Sequence, residues 1–304
     1  MENVLRGNPA NEEGFSLLEM AASLTILLLI SGVVFTALKS YQNAYYSQHM
    51  QADVHQDLRG AMELMSQEIG QAGLVPIPAT LPTLNSGVTH SGTAQAVTVS
   101  SAVSFYQGEY VVVDTGSTQE TVQLTAVNYT TNQISGIFTN NHNSGASVSG
   151  WGGLLYGILS GAASPGNNTL ELFGDINSTG HITYVQYDCN FANGTLTRTS
   201  TDILNTSTTM NSKVVLINNL VNGGTNCFQY TNGVPVGATT VYPTVAVTLT
   251  VQTTANDPQT GQPIQVTKTL LNINSRSVLA AIALSNAGAT TEVQPTPTTF
   301  FAPL

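Results

Sequence analysis

Charge is what this chain has least of. Only 8% of its 304 residues are Asp, Glu, Lys or Arg, against roughly a quarter in an ordinary soluble domain. Thr, Ser, Asn, Gln and Gly must therefore solvate the surface, which suits an exported protein. Basic residues are the scarcest: seven Lys plus Arg face seventeen Asp plus Glu, a net charge of -10. Without a cationic stripe to neutralise phosphates, nucleic acid is not expected as a direct partner. Cysteine is almost missing. Cys189 and Cys227 are too few and too far apart for a zinc finger or ribbon, whose ligands come in close pairs. Two readings stay open for them: one disulfide if the domain lies outside the cytoplasm, or two buried free thiols.

Catalytic machinery is missing as well. His49, His55, His90, His142 and His181 show no HExxH or comparable ligand spacing, and read as solvated or core histidines. No GxSxG, SxxK or clustered carboxylate set occurs, so neither an enzyme nor a cofactor is expected. Asp175, Asn177, Thr179 and Gly180 echo the start of a calcium loop, but the twelfth position of that frame is Gln186 instead of a bidentate Glu. A turn initiated by Asp175 is the better reading. The GWGG at 150–153 lacks the strand and helix context of a phosphate loop, which leaves a loop anchored by Trp151.

One long apolar run is present. Residues 20–38, MAASLTILLLISGVVFTAL, are nineteen residues without a formal charge, close to the roughly 20 that span a bilayer core. Glu19 sits at the left edge, inside FSLLEMAASLTILLL. An acid within such a run costs about 2.5 to 3.5 kcal/mol on insertion scales, so it calls for a partner or a task. The preceding residues, ENVLRGNPANEEG, are polar, rich in turn formers, and end in Gly14 directly before Phe15, the shape of a cleavage site.

Gly14 followed by FSLLEM and an apolar helix resembles the class III signal of type IV prepilins and type II secretion pseudopilins. The resemblance implies that a prepilin peptidase/N-methyltransferase cuts after Gly14 and methylates the new N-terminus, Phe15. It also implies that Glu19 pairs with the N-terminal ammonium of a neighbouring subunit, which would relieve an unpaired charge in hydrocarbon. A glycine before the cut lets extended backbone enter a narrow protease cleft. The leader departs from the family's usual basic character, with Arg6 set against Glu2, Glu12 and Glu13. A Sec signal is a poorer match, because its cut follows the apolar core at a small-x-small site.

Beyond Lys39 the sequence turns polar, yet Val54, Leu58, Met62, Met65 and Ile69 recur at spacings of four, four, three and four, an apolar stripe on one helical face. Gly70, Gly73, Pro76 and Pro78 then stop the helix. From residue 80 onward, short β-branched and aromatic runs alternate with Gly, Asn, Asp and Pro. Strands are expected at 96–99, 110–114, 121–127, 133–138, 169–173, 182–188, 196–199, 213–217, 227–230, 244–253 and 264–273. Turns are expected at 177–180 and at Asn193-Gly194, a two-residue hairpin signal.

The segments DLRGAMELMSQEIGQAGL (57–74), Gly174-Asp175 with ITYVQY and Leu196-Thr-Arg198, and VAVTLTVQTTANDPQTGQPIQVTKTLLNINSRSVL resemble larger minor pilins and pseudopilins of the PilW/PulJ type. The fold expected is thus α+β and pilin-like: a leader at 1–14, a long N-terminal helix at 15–73 with its transmembrane segment at about 17–38, an antiparallel β-rich domain at 74–285, and a flexible Thr/Pro tail at 286–304. Residues 80–165 read as an insertion of extra strands and loops. The resemblance implies a minor subunit that initiates or caps a type IV pilus or secretion pseudopilus. Its implied partners are the peptidase, other pilin or pseudopilin subunits, the inner-membrane assembly platform and membrane lipid. The implied location is the bacterial inner membrane as a single-pass protein, then a periplasmic or cell-surface filament. The alternative is a membrane-anchored extracytoplasmic β-rich adhesin or binding protein that never polymerises.

Overall fold

The computed structural model describes residues 16–159, 166–204 and 212–297. One helix, α1 (Leu17–Gln71, 55 residues), runs uninterrupted for about 80 Å at 1.5 Å per residue, because no proline falls between Pro9 and Pro76. Ser16 caps its start: the hydroxyl accepts from the Leu18 N–H at 3.3 Å, and the Glu19 carboxylate accepts from the Ser16 N–H at 3.3 Å. At the other end Gly73 takes φ +77° and its N–H donates to the Phe173 carbonyl. A side chain there would strike Val278 and the Leu154 carbonyl, so glycine is required by both conformation and space.

The two halves of α1 meet different surroundings. From residue 16 to 42 every residue except Ser31 is exposed, and the helix is long and apolar enough to cross a membrane. In the second half Val54, Leu58, Ala61, Met62, Met65, Glu68 and Ile69 are buried, the stripe expected from the spacing with Ala61 and Glu68 added to it.

That stripe packs on two antiparallel sheets. The first runs in the order Ser212–Asn218, Thr195–Asp202, Thr183–Asn190, Thr169–Gly174, Ile158–Leu159. The second centres on the thirteen-residue strand Thr244–Asn256, flanked on one edge by Leu220–Val221 and Phe228–Thr231 and on the other by Pro263–Asn274. Cross-strand threonine pairs bond across the long hairpin, Thr248 with Thr269 and Thr250 with Thr267. The main core gathers Leu58, Met65, Leu172, Tyr187, Val247 and Leu249. Cys189 and Cys227 are disulfide-bonded with Cα atoms 6.5 Å apart, tying the first sheet to the second.

Residues 80–150 build a module of their own. Gln95–Thr98, Gln133–Gly136 and Ala126–Asn128 form one three-stranded antiparallel sheet; Glu120–Gln123, Tyr110–Val113 and Val148–Gly150 form another. Both close on a separate core that includes Leu84, Phe105, Val111, Leu124, Ile134 and Phe138. The single strand expected at 121–127 is in fact two. Leu124 donates to the Glu109 carbonyl and Thr125 to the Ser135 carbonyl, so the chain changes sheets there. The segments that lead into and out of the module meet where Leu74 bridges Gly153.

Three other expectations need correction. The Asn193-Gly194 turn is a four-residue connection, since Asn190 pairs with Thr195 and the Asn190 side chain accepts from the Asn193 N–H. A second helix, α2 (Arg276–Asn286), follows the long hairpin, capped by Ser275 and burying Val278, Ala281 and Ile282. Its spacing of three and one within SVLAAIALS is a helical signal that the hairpin reading of this stretch passed over. The tail expected to be flexible from residue 286 is packed at least to Gln294: Val293–Gln294 pairs in parallel with Gly153–Leu154, and Gln294 is buried.

Candidate assembly surface

The exposed half of α1 displays Leu17, Leu18, Met20, Leu24, Ile26, Leu27, and so on to Leu38, with Leu17 at 88% and Leu28 at 69% exposure. Full burial of one such side chain is worth about 1.5–3 kcal/mol. Water is therefore a poor environment for this surface, and the helix is compatible with membrane anchoring. Glu19 is the one formally charged residue from 16 to 38. It projects from the first turn, where the helix dipole favours an anion, and closes the reciprocal cap with Ser16. Gly14 and Phe15, the expected cleavage and methylation residues, lie outside the described residues.

Anchoring of the helix to the β domain rests on a buried polar group that the sequence reading did not single out. Glu68 is fully buried. Its carboxylate receives Arg198 Nη2 at 2.7 Å and Nε at 3.1 Å, and accepts from the Tyr187 hydroxyl and the Asn177 amide. Burial together with the neighbouring carboxylate pushes the Tyr187 hydroxyl well above its ordinary pKa, and the pair to Glu68 raises that of Arg198. A signal was present: an acid within an apolar stripe, and a lone Arg in an alternating strand.

The turn at 177–180 docks beside this group. The Asp175 side chain accepts from Thr179 and from the Gly180 N–H, while the Asn177 N–H donates to the Gln71 side chain at 2.7 Å. Asp175 thus initiates a turn, as expected. Within 150–153 the glycines, and not Trp151, do the anchoring. Gly152 lies against the Glu292 backbone and Gly153 against that of Ser277, where any Cβ would clash, whereas Trp151 is 40% exposed.

Two further ionisable groups sit in the inserted module. His142, buried, bonds Glu120 through Nε2 at 2.6 Å and Asp114 through Nδ1 at 3.2 Å. The Glu120 and Asp114 carboxyls are both held below their usual range, chiefly by hydrogen bonds to nearby N–H and hydroxyl groups together with His142. Glu109 is buried where the module meets the main body. One carboxyl oxygen accepts from the Tyr106 N–H at 3.0 Å and the other has no partner. Burial pushes its pKa well up. Among the described residues no group of three or more His, Cys, Asp or Glu side chains is arranged to hold a metal ion.

These features define a β-rich body on a long helix, and among the described residues the apolar half of α1 is the most extensive exposed apolar surface. No protein-family profile matches the chain, and no characterised protein or solved structure matches it either.

Proposed function

We propose that this chain is a minor pilin or pseudopilin, a non-enzymatic structural subunit that initiates or caps a type IV pilus or type II secretion pseudopilus. The observation that carries the reading is the division of one continuous helix. Its C-terminal half is clamped to a β domain through Glu68 and the apolar stripe, while its N-terminal half offers an uncovered apolar surface headed by Glu19. Such a surface is soluble in a bilayer and equally able to pack on copies of the same kind of helix. A shift from lipid to a helical filament core needs no refolding. The separate module at 80–150 enlarges the body beyond what a stalk-forming subunit needs, which favours a place at the filament tip. The chain would reside in the inner membrane, be cut after Gly14 and methylated at Phe15, and leave through the assembly platform into a periplasmic or cell-surface filament.

Glu19→Ala tests this. Incorporation into filaments, read by shearing and immunoblotting, should be lost or severely reduced while membrane insertion persists. Mass spectrometry of the mature protein should find methylated Phe15 as the first residue. A native chain that keeps its first fourteen residues and stays monomeric in the bilayer would refute the reading.

A second reading is favoured by the Ser16–Glu19 cap, which gives the acid a local task that needs no neighbouring subunit. In that case the chain is a membrane-anchored extracytoplasmic adhesin or binding protein, and Glu19→Ala weakens only the first helical turn.

A further inference from the structure

The uncharged part of α1 has bilayer dimensions and is bracketed. Residues 20–38 rise about 28 Å at 1.5 Å per residue, against a hydrocarbon core of about 30 Å, with Glu19 at one end and Lys39 at the other. Directly beyond Lys39 come Tyr41, Tyr45 and Tyr46, exposed at 73%, 58% and 60%. The Tyr45 and Tyr46 rings meet edge to face at 6.3 Å.

On a helix of 3.6 residues per turn, Lys39, Tyr41, Tyr45 and Tyr46 fall within an arc of about 160°. The other side carries Asn43, Ala44 and Ser47, which are half-buried. Ser47 lies near Asp257 in the turn of the long hairpin, close enough to help lower that carboxyl's pKa. The tyrosines therefore face away from the β domain at the level where that domain first reaches the helix. Tyr41 lies about 4 Å along the axis beyond Leu38 and Tyr45 and Tyr46 about 10–12 Å; against a headgroup layer roughly 5–8 Å deep on each side of the core, Tyr41 falls within the layer and Tyr45 and Tyr46 at its aqueous margin. Tyrosine presents an apolar ring and a polar tip, and is enriched at that depth.

We propose that Lys39 and Tyr41, seated in the phospholipid headgroup layer on the β-domain side of the bilayer, form an interfacial collar with Tyr45 and Tyr46 at its aqueous margin. The collar fixes the depth of α1 and so places Glu19 at the opposite boundary, where water reaches it. The Lys39 ammonium meets lipid phosphate, the Tyr41 hydroxyl meets phosphate or ester oxygens while its ring packs on the upper acyl chains, and Tyr45 and Tyr46 reach only the outer headgroups. The hairpin turn at 257–262 then rests on the membrane surface. This inference depends on the membrane half of the proposed function and not on polymerisation.

The test uses the full chain, purified and reconstituted as single subunits in phosphatidylcholine/phosphatidylglycerol vesicles. Tryptophan is placed at one position at a time, Tyr41→Trp or Leu28→Trp, in a Trp151→Phe background. Fluorescence at position 41 should be blue-shifted from that of a solvated indole and quenched more by lipids brominated near the headgroup end of the chain than by lipids brominated deep. Position 28 should show the reverse ranking. A tryptophan at 41 with solvent-like emission and no quenching, beside a quenched one at 28, overturns the collar while the membrane span stands. Loss of quenching at both positions overturns the membrane reading itself.

Discussion

Glu68 lies between Met65 and Ile69 as the one charged side chain in the buried stripe of α1, and its energetics are those of a buried ion answered by a neighbour. Arg198 and Tyr187 surround the carboxylate with donors. Removing one partner of such a pair leaves an uncompensated charge, which costs about 3–5 kcal/mol, whereas replacing both by apolar residues is often neutral. Arg198→Met should thus lower the urea stability of the β domain by that order, and Glu68→Met combined with Arg198→Met should recover most of the loss. Equal destabilisation of single and double variants would mean that the pair is only packing. The sequence displayed this acid within an apolar period, but its partner is 130 residues away. Only the register of Thr183–Asn190 against Thr195–Asp202, which sets Arg198 opposite Tyr187, brings the three together.

At the scale of elements, long periodic segments were the most legible. The stripe at 54, 58, 62, 65 and 69 is buried as its spacing required, and most expected strands lie within a residue or two of their positions. What periodicity missed was short or depended on partners. α2 was hidden behind a strand that ends one residue before its cap, Ser275. The break at Leu124 and Thr125 arises because neighbouring strands claim their N–H groups. The disulfide belongs to this scale too, because it ties the strand Thr183–Asn190 of the first sheet to the residue that precedes Phe228–Thr231 of the second. Closing a loop of 38 residues stabilises by about 3–4 kcal/mol on the chain-entropy account. Cys189→Ser with Cys227→Ser should shift the denaturation midpoint down by that order, and reducing agent should do so for the wild type but not for the variant. An unchanged midpoint would show that sheet packing alone sets the stability.

At the scale of the whole molecule, the inserted module and the main body meet along a seam of Val75, Tyr106, Leu154, Phe173 and Tyr184, closed by the Tyr106 hydroxyl on the Pro295 carbonyl and by Gln294 on Tyr110 and Trp151. Glu109 is buried in that seam with one oxygen unpartnered, and only a glycine at 150 leaves it room, since a Cβ there would strike its carboxylate. Burial raises its pKa, so folding favours the neutral acid. The seam's stability is then complete below the ordinary glutamate value of 4.5 and declines as pH rises toward the elevated one. Glu109→Gln, neutral at every pH, should stabilise the protein at pH 8 and much less at pH 4, as read by thermal melts. A pH-independent difference would remove ionisation as the cause. Asp114 and Glu120 work in the opposite direction, since their lowered values mean that stability is lost only as pH falls below the usual carboxylate range.

The order of residues by itself determined where the chain is apolar without interruption, where that run acquires a face, and where helix yields to strand, because these follow from local hydropathy period and from glycine and proline. Tertiary structure alone decided that Glu68 finds Arg198, that the cysteines bond, that residues 80–150 own a separate core, and that Gln294 is packed against Tyr110 and Trp151. Each of these joins groups far apart in sequence, and proximity of that kind is set by strand register and sheet order, to which no local pattern is sensitive.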